Sequence, residues 1–259
     1  MIEIRHCYDT RRVYDEIYEG SEIHQMDSFF IWVCSLLQVE VGSLVLDVST
    51  GRGQMVEFAR RRRAHAFGLD FSMVACRLAA SRSPRAILCS DGQRLPFPDR
   101  TFNIVTNLGS LEHFERMDLG VQEMARVLKS DGIACLTVPN TFGLRWNVNV
   151  AWKTGDVDDD GQPLQRYGTR LQWQRLLESN GLSVVKVLGY EHERAFPRTR
   201  HDLKTYLMHP KRLVSLLFVP LIPVNAAGQF VFICERAQSE RARSERARSE
   251  HAQSAWNQE

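Results

Sequence analysis

The central part of this 259-residue chain alternates short apolar runs with longer amphipathic segments. The apolar runs predict β-strands near residues 44–48, 64–70, 86–90, 102–108 and 131–138. The segments between them predict helices near residues 52–63, 72–82 and 116–129. Strands that alternate with helices in this way are typical of a doubly wound α/β fold, in which a parallel sheet carries helices on both faces.

The segments on either side of this core extend the pattern. Residues 9–40 predict two helices that separate near Gly20, so residues 1–40 are expected to form an N-terminal helical cap. Further along, the sequence predicts a helix at 169–181 and two more strands, at 182–190 and 227–236.

These elements predict one main domain that covers residues 41–236 and contains two insertions. The insertions lie at about 140–167 and 190–227, and connections of this length usually carry function or structure of their own. The last segment, 237–259, repeats the unit S-E-R-A-R. Because it has no apolar face, it is expected to remain a solvated, low-complexity tail.

Composition narrows the class of protein. Hydrophobic residues make up 44% of the chain, charged residues 25%, and the formal net charge is +2, as in an ordinary globular protein with no general attraction to nucleic acid. The first residues contain no apolar segment of the kind found in a secretory signal, so the protein is expected to be cytoplasmic. The six cysteines never form a C-x-x-C pair, and we interpret them as buried, reduced thiols rather than zinc ligands or disulfides.

Acidic residues follow the first three predicted strands of the core. Asp47 ends the first strand and precedes a loop with glycines at 51 and 53, while Asp70 and Asp91 follow the next two strands. Ligands of doubly wound sheets bind at the carboxyl ends of the strands, so these carboxylates are expected to surround one site. A glycine-rich loop before a helix accepts an anion, and an acid after the second strand accepts ribose hydroxyls. Val56 excludes the G-x-G-x-x-G fingerprint of dinucleotide-binding proteins.

Several longer motifs carry a family resemblance. The stretches "LDVSTGRGQ", "GLDFS", "SDGQRLPFPDRTFNIVTNLGSLEHF" and "EMARVLKSDGIACLTVPN" resemble the class I S-adenosylmethionine-dependent methyltransferases, in particular the UbiE/UbiG-like group called type 11. The resemblance is close over about residues 40–140. It implies a Rossmann-like, seven-stranded, mostly parallel sheet whose last strand is antiparallel.

The same resemblance implies which residues bind S-adenosylmethionine. The backbone of the loop after the first strand would hold the methionine portion, and acids on the next strands would bind the ribose and the adenine. The implied cofactor-binding residues are Asp47, Val48, Ser49, Gly51, Gly53, Asp70, Phe71, Asp91, Gly92, Asn107 and Leu108. Ser49 departs from the glycine of many relatives, and a serine is expected to be tolerated because it is small. No metal ligand is implied.

His113, in the segment "SLEHF", is the candidate catalytic residue. The sulfonium of the methyl donor is already electrophilic, so a base is needed only if the acceptor carries a proton that it holds tightly. We interpret His113 as a general base or a substrate contact, with a capping or structural histidine as the alternative. Glu112 is expected to be structural, and Gly109 replaces an acid found in relatives that methylate catechol-like quinone precursors.

The acceptor is expected to contact the insertions. Aromatic residues in 138–155 and cationic residues in 190–201 would suit an anionic or amphipathic molecule, although both segments could also be plain surface loops. The apolar run 213–224 has only twelve residues, too few to span a bilayer. It would close over an apolar substrate, pack in the core, or form a peripheral membrane contact through 211–224.

The resulting hypothesis is a methyltransferase that acts on a small-molecule or lipid-linked acceptor, with oxygen as the favoured methylated atom. Two alternatives remain open at this stage. One is a non-catalytic protein of the same fold that binds a partner through its insertions. The other is an RNA or protein methyltransferase, which the absence of an N/D-P-P-Y motif and of an RNA-binding module disfavours. The run of arginines at 60–63 is interpreted as a solvated cluster at a helix end rather than as a nucleic-acid site.

Overall fold

A computed structural model describes residues 1–6, 9–20, 25–191, 198–208 and 219–237. The strands are β1 (Ile2–Arg5), β2 (Leu44–Val48), β3 (His65–Asp70), β4 (Ile87–Cys89), β5 (Phe102–Leu108), β6 (Leu128–Pro139), β7 (Leu164–Tyr167), β8 (Leu182–Tyr190) and β9 (Gln229–Arg236). The helices are α1 (Thr10–Gly20), α2 (Asp27–Leu36), α3 (Gln54–Arg61), α4 (Met73–Arg82), α5 (Met117–Val127), α6 (Asn147–Thr154), α7 (Arg170–Ser179) and α8 (Arg200–Met208). Short 3₁₀ turns lie at Leu111–His113, Val219–Leu221 and Val224–Ala226.

The main sheet confirms the predicted fold class. It has seven strands in the order β4-β3-β2-β5-β6-β9-β8. The strands from β4 to β6 run parallel, whereas β9 pairs antiparallel with both β6 and β8. The order reverses between β2 and β5, where the connections leave the sheet in opposite directions, and a crevice opens there at the carboxyl ends.

Helices cover both faces of this sheet. One apolar cluster joins strand residues such as Leu46 and Val105 to Met124 of α5 and Trp173 of α7. The other joins Val45 to residues of α2 and α3, among them Phe29, Val33 and Met55. Because the central strands are buried on both faces, they are nearly continuous apolar runs in the sequence, which is why their positions could be predicted.

The structure differs from the sequence predictions at several elements. β6 begins at Leu128, so residues 128–129 are strand and not the end of a helix; Leu128 has the extended backbone angles φ −73° and ψ 133° and pairs with Phe102. β1 and β7, which form a two-stranded antiparallel sheet, and the helix α6 were not predicted. The cap predicted as helical therefore contains a strand as well as α1 and α2.

The cysteine prediction holds for Cys34, Cys76, Cys135 and Cys234, which are buried free thiols. It is wrong for Cys89, which is exposed because β4 is the edge strand of the sheet. Cys7, the tail from 238 onward and the apolar segment 211–218 lie outside the described residues.

Arg166, in β7, ties the small sheet to the main domain. Its guanidinium is buried, and it donates hydrogen bonds to Glu3 of β1 (2.7 Å) and to the carbonyl oxygen of Phe114 (2.6 Å). Burial of a charged group is favourable only when its donors are satisfied, as they are here. The strand β1 is thus fixed beside the 3₁₀ turn that contains His113.

The turn between β2 and α3 requires glycine at position 53. Gly53 has φ +79°, and a Cβ atom built there would lie 2.7 Å from the Cβ atom of Ala79 and 2.9 Å from its Cα atom. Gly53 therefore allows α3 to begin in contact with α4, in a backbone conformation that other residues adopt at a cost.

We expect Gly53→Ala to lower the free energy of unfolding by about 2–4 kcal/mol, from the left-handed backbone and from the clash with α4. Gly155→Ala is the matched control, because Gly155 has φ +78° and open space around its Cα atom. It should lose only the backbone component, about 1–2 kcal/mol. Urea unfolding followed by circular dichroism measures both values, and equal losses would contradict the packing role of Gly53.

Candidate functional site

A cavity of ≈ 390 Å³ opens at the carboxyl ends of the parallel strands. It brings together residues that lie far apart in the sequence: the loop after β2, the residues that follow β3, β4 and β5, and one face of α1. Nine of the predicted site residues line it, namely Asp47, Ser49, Gly51, Asp70, Phe71, Asp91, Gly92, Leu108 and His113.

Three predicted residues do not line the cavity. The side chain of Val48 is fully buried in the core, and Gly53 packs against α4. Asn107 is also fully buried, and its Nδ2 atom donates a hydrogen bond to the carbonyl oxygen of Val48 (3.2 Å). These residues hold the strand ends in place below the cavity.

Asp47 presents a buried carboxylate to the cavity. Its two oxygens accept hydrogen bonds from the hydroxyls of Thr50 (2.7 Å) and Thr106 (2.6 Å). Burial raises the pKa of Asp47 to about 6, although the two hydroxyls favour the charged form. A cationic group in the cavity would pair with this carboxylate and stabilise its ionised form.

Asp70 fixes the loop that follows β2. Its Oδ2 atom accepts a hydrogen bond from the backbone N–H of Gly51 (2.9 Å), and its Oδ1 atom accepts one from the N–H of Ser72 (3.0 Å). Burial still raises the pKa of Asp70 above the ordinary value. Because each carboxylate oxygen can accept more than one hydrogen bond, Asp70 keeps acceptor capacity for hydroxyl groups of a ligand.

Ser49 adopts a left-handed backbone conformation. Its φ angle is +60°, and that of Gly51, two residues later, is +53°. A non-glycine residue pays roughly 1 kcal/mol for this conformation, and the loop retains it within the framework of hydrogen bonds to Asp70.

Helix α1 contributes cavity residues that the sequence analysis missed. Thr10, Tyr14 and Tyr18 recur every four residues and therefore lie on one face of the helix, and they line the cavity together with Arg11. The ring of Tyr14 lies edge-on to Phe71 with centroids 5.4 Å apart, and the guanidinium carbon of Arg11 lies 5.9 Å from the centroid of Phe71. The four-residue spacing of these side chains in the sequence was the signal that could have identified them as one face of a helix.

A polar contact attaches α1 to the rest of the site. Asp15 accepts a hydrogen bond from the hydroxyl of Ser72, the N-cap residue of α4, and a longer one from the N–H of Val74 (3.4 Å). Arg52 donates to the carbonyl oxygen of Tyr18 (3.2 Å). Burial raises the pKa of both Tyr14 and Tyr18, so both phenols stay protonated, and the hydroxyl of Tyr14 donates a hydrogen bond to Oε1 of Gln162 (3.0 Å). The helix thus covers one side of the cavity.

His113 has a defined tautomer. Its Nδ1 atom lies 2.5 Å from the carbonyl oxygen of Leu164 in β7, and a carbonyl can only accept, so Nδ1 carries the hydrogen. Burial lowers the pKa of His113. The neutral ring therefore keeps a lone pair on Nε2, which is the form that accepts a proton.

Glu112 is buried beside His113. Its Oε1 atom lies 3.9 Å from Nε2 of His113, and its Oε2 atom has no hydrogen-bond partner among the described residues. Burial raises the pKa of Glu112 to about 8, so the group is largely protonated at neutral pH.

A family model described as "Methyltransferase domain" matches residues 46–136, the segment that carries β2 to β6 and most of the cavity acids. Residues 46–136 therefore form a methyltransferase domain, for which the methyl donor is S-adenosylmethionine. The buried carboxylates and the glycine loop of the cavity fit a ligand with an ammonium group and a ribose.

Curated relatives match the methyltransferase domain over limited lengths. The chain is 36% identical over 96 residues to a demethylmenaquinone methyltransferase of Corynebacterium urealyticum, covering 37% of this chain and 41% of that protein. It is 34% identical over 168 residues to a fatty-acid O-methyltransferase of Mycolicibacterium smegmatis, covering 62% of this chain and 60% of that protein. The chain thus spans about half the length of these relatives.

A solved structure extends the likeness of the methyltransferase domain to most of the chain. The 1,6-didemethyltoxoflavin-N1-methyltransferase of Burkholderia thailandensis, solved with bound 1,6-didemethyltoxoflavin and S-adenosylhomocysteine, superposes with a TM-score of 0.58. The match covers 88% of this chain and 87% of the other at 14% identity. At this identity the likeness establishes a shared fold.

The buried carboxyl of Glu112 makes stability depend on pH. The unfolded chain loses this proton near pH 4.5, whereas the folded chain retains it up to about pH 8. Folding stability therefore declines as pH rises between these values. We expect Glu112→Gln to stabilise the protein by on the order of 2 kcal/mol at pH 8 and by nothing at pH 4.

Urea unfolding of the Glu112→Gln variant and the wild type across this pH range measures the difference. Glu40→Gln, at an exposed position, is the control and should shift stability equally at every pH. A pH-independent effect of Glu112→Gln would mean that Glu112 is ionised in the folded protein.

Proposed function

We propose that the protein transfers a methyl group from S-adenosylmethionine to a small-molecule or lipid-linked acceptor, at an oxygen atom. One observation carries the proposal: Asp47, Asp70 and Asp91, which lie at the carboxyl ends of three neighbouring parallel strands, line a single cavity beside a loop with left-handed residues. Its lining offers separate carboxylates for an ammonium group, a ribose and an adenine amino group.

The residues of this chain would divide the binding of the cofactor among them. Asp47 would pair with the ammonium of the methionine portion, and the backbone from Ser49 to Gly51 would approach its carboxylate. Asp70 would accept the ribose hydroxyls, with Phe71 against the adenine ring. Asp91, whose carboxylate accepts hydrogen bonds from Gln93, would accept the adenine amino group.

Below and around these groups, the backbone of Gly92 would lie beside the adenine, and Leu108 would form the floor near the sulfonium. Glycine at position 92 lets this backbone pack on Phe114, because a Cβ atom there would lie 2.6 Å from the ring. Three further residues would contribute to cofactor binding indirectly, because they hold the strand ends in place below the cavity: Val48, Gly53 and Asn107. When bound, S-adenosylmethionine supplies an activated methyl group to the acceptor.

His113 is the proposed general base. The hydrogen bond from Nδ1 to Leu164 would orient the ring and leave Nε2 to receive the proton of an acceptor hydroxyl. The depressed pKa keeps this nitrogen unprotonated at neutral pH. The phenol of Tyr14, whose ring centroid is 6.1 Å from that of His113, would contact the acceptor or the cofactor from α1.

An apolar acceptor is supported by the names of the relatives, which act on demethylmenaquinone and on fatty acids. The segments predicted as cap and insertion also contribute to the site: residues 1–40 provide α1, and residues 140–167 provide Gln162 to the cavity and Leu164 to His113. We therefore propose that the N-terminal cap and the first insertion both surround the acceptor. Among the described residues, no helix is both long and apolar enough to cross a bilayer.

Isothermal titration with S-adenosylhomocysteine tests the cofactor site. We expect the wild type to bind and the dissociation constant of Asp70→Asn to be at least about tenfold larger. The amide has only one oxygen that can accept a ribose hydroxyl, whereas the carboxylate has two. The control is Asp131→Asn. Asp131 is an exposed acid near the amino-terminal end of β6, away from the cavity, and this variant should bind as the wild type does. Absence of binding by the wild type at high micromolar ligand would refute the proposal.

Mass spectrometry of lysate metabolites and lipids, incubated with enzyme and S-adenosylmethionine, detects an acceptor by its gain of one methyl group. With that acceptor, we expect His113→Gln to lower kcat by about 100-fold or more, while the affinity for S-adenosylhomocysteine stays unchanged. His65→Gln, at the exposed start of β3, is the control for loss of a histidine. Unchanged turnover in His113→Gln would assign this histidine a structural role.

A further inference from the structure

An unusual concentration of exposed apolar side chains lies on the segment after β6. Trp152 is 84% exposed, Phe142 is 58% exposed and Leu144 is 50% exposed. We call this surface the aromatic face; its members are Phe142, Leu144, Trp146, Val148, Trp152, Leu221 and Val224, all of them exposed. Exposed apolar residues scattered singly need no explanation, but a group of this size marks an interaction site.

The aromatic face is held by specific contacts with the end of the sheet. The N–H of Leu144 donates a hydrogen bond to the carbonyl oxygen of Ala226 (3.0 Å), which joins the segment 142–146 to the segment that contains Val224. The indole of Trp146 packs on Gly228, where a Cβ atom would lie 2.7 Å from its Cδ1 atom. The two parts of the face therefore form one surface.

Helix α6 is oriented by a polar anchor and not by its apolar residues. Asn147 is the buried residue of this helix, and its Nδ2 atom donates to the carbonyl oxygen of Asn140 (2.9 Å). Val148 and Trp152, four residues apart, lie on the same side of the helix and are exposed. A helix of eight residues gains no stability from an exposed tryptophan. The exposed side chain of Trp152 therefore indicates a binding partner.

The surface lies at the same edge of the sheet as the cavity. The segment 142–152 follows Pro139, the last residue of β6, and β6 pairs with β5, whose end lines the cavity. The same insertion continues to Gln162 and Leu164, which reach the cavity and His113. A partner bound at the aromatic face would sit beside the acceptor site.

We propose that the aromatic face docks on the surface of a phospholipid bilayer with anionic headgroups. Tryptophan is enriched at membrane interfaces because it combines a large apolar body with one N–H donor. Cations lie along the same segments: Lys153 is exposed, Arg145 is exposed and its Nη1 atom lies 4.0 Å from Oε2 of the buried Glu191, and Arg170 donates a hydrogen bond to Asn225 beside Val224. Aromatic groups bordered by cations complement anionic headgroups above an acyl layer.

This docking adds a membrane surface to the proposed function. It rests on that function because it assumes a lipid-linked acceptor. The bilayer would hold a lipid-linked acceptor next to the cavity, so that the acceptor group reaches the methyl donor while its chain stays in lipid. The membrane contact predicted from 211–224 adjoins this surface through Leu221 and Val224. The aromatic face extends that contact to the insertion after β6.

Vesicle sedimentation of the full chain tests the docking. The probes are vesicles of phosphatidylcholine alone and vesicles that also contain phosphatidylglycerol. We expect the wild type to bind the anionic vesicles and the variant Trp152→Ala/Lys153→Glu to bind them about tenfold more weakly or not at all. The matched control is Val185→Ala/Lys186→Glu, an adjacent apolar and cationic pair that is exposed on β8. It should bind as the wild type does.

Two outcomes would overturn the docking. One is wild-type protein that binds neither type of vesicle, or binding that falls equally in both variants. The other is a wild-type dimer in gel filtration that the Trp152 variant converts to monomers without any vesicle binding, which would assign the face to self-association. Titration of the same preparations with S-adenosylhomocysteine separates this result from the proposed function: intact cofactor binding without vesicle binding refutes the docking alone.

Discussion

A hydrogen bond from the backbone N–H of Gly51 to the carboxylate of Asp70 joins the first two strands of the core at their carboxyl ends. It holds the loop after β2 in left-handed backbone conformations at Ser49, Gly51 and Gly53, which would otherwise be unfavourable. The loop in turn places Thr50 against Asp47 and starts α3 against α4. The positions of Asp47, Ser49 and Gly51 in the cavity depend on this turn.

The site gathers acidic groups where burial disfavours their charge. The pKa values of Asp47, Asp70 and Glu112 are all raised. Such groups lower folding stability at neutral pH, and proteins retain them where a ligand or a reaction uses them. Asp47 and Asp70 face the cavity and would be compensated by a bound ligand, whereas Glu112 lies behind His113 and has no such compensation.

Much of this arrangement could be predicted from the sequence, for a physical reason. Central strands buried on both faces leave long apolar runs, and parallel strands bring their carboxyl ends to one side of the sheet, so Asp47, Asp70 and Asp91 could be grouped from the sequence alone. The strands β1 and β7 could not, because each has four residues and pairs with a partner more than a hundred residues away. The cavity face of α1 escaped because a tyrosine spacing of four is common to many amphipathic helices. The hydrogen on Nδ1 of His113 depends on a carbonyl in a remote insertion.

The small sheet of β1 and β7 makes the strand β1 part of the structure that holds His113. β1 pairs with β7, β7 supplies the carbonyl of Leu164 that holds the imidazole, and Arg166 joins both strands to the turn that carries the histidine. The insertion and the first strand therefore form one transplantable unit. Grafting the insertion into a related enzyme to change its acceptor would require the grafting of residues 2–5 with it, since either piece alone leaves an unpaired strand edge.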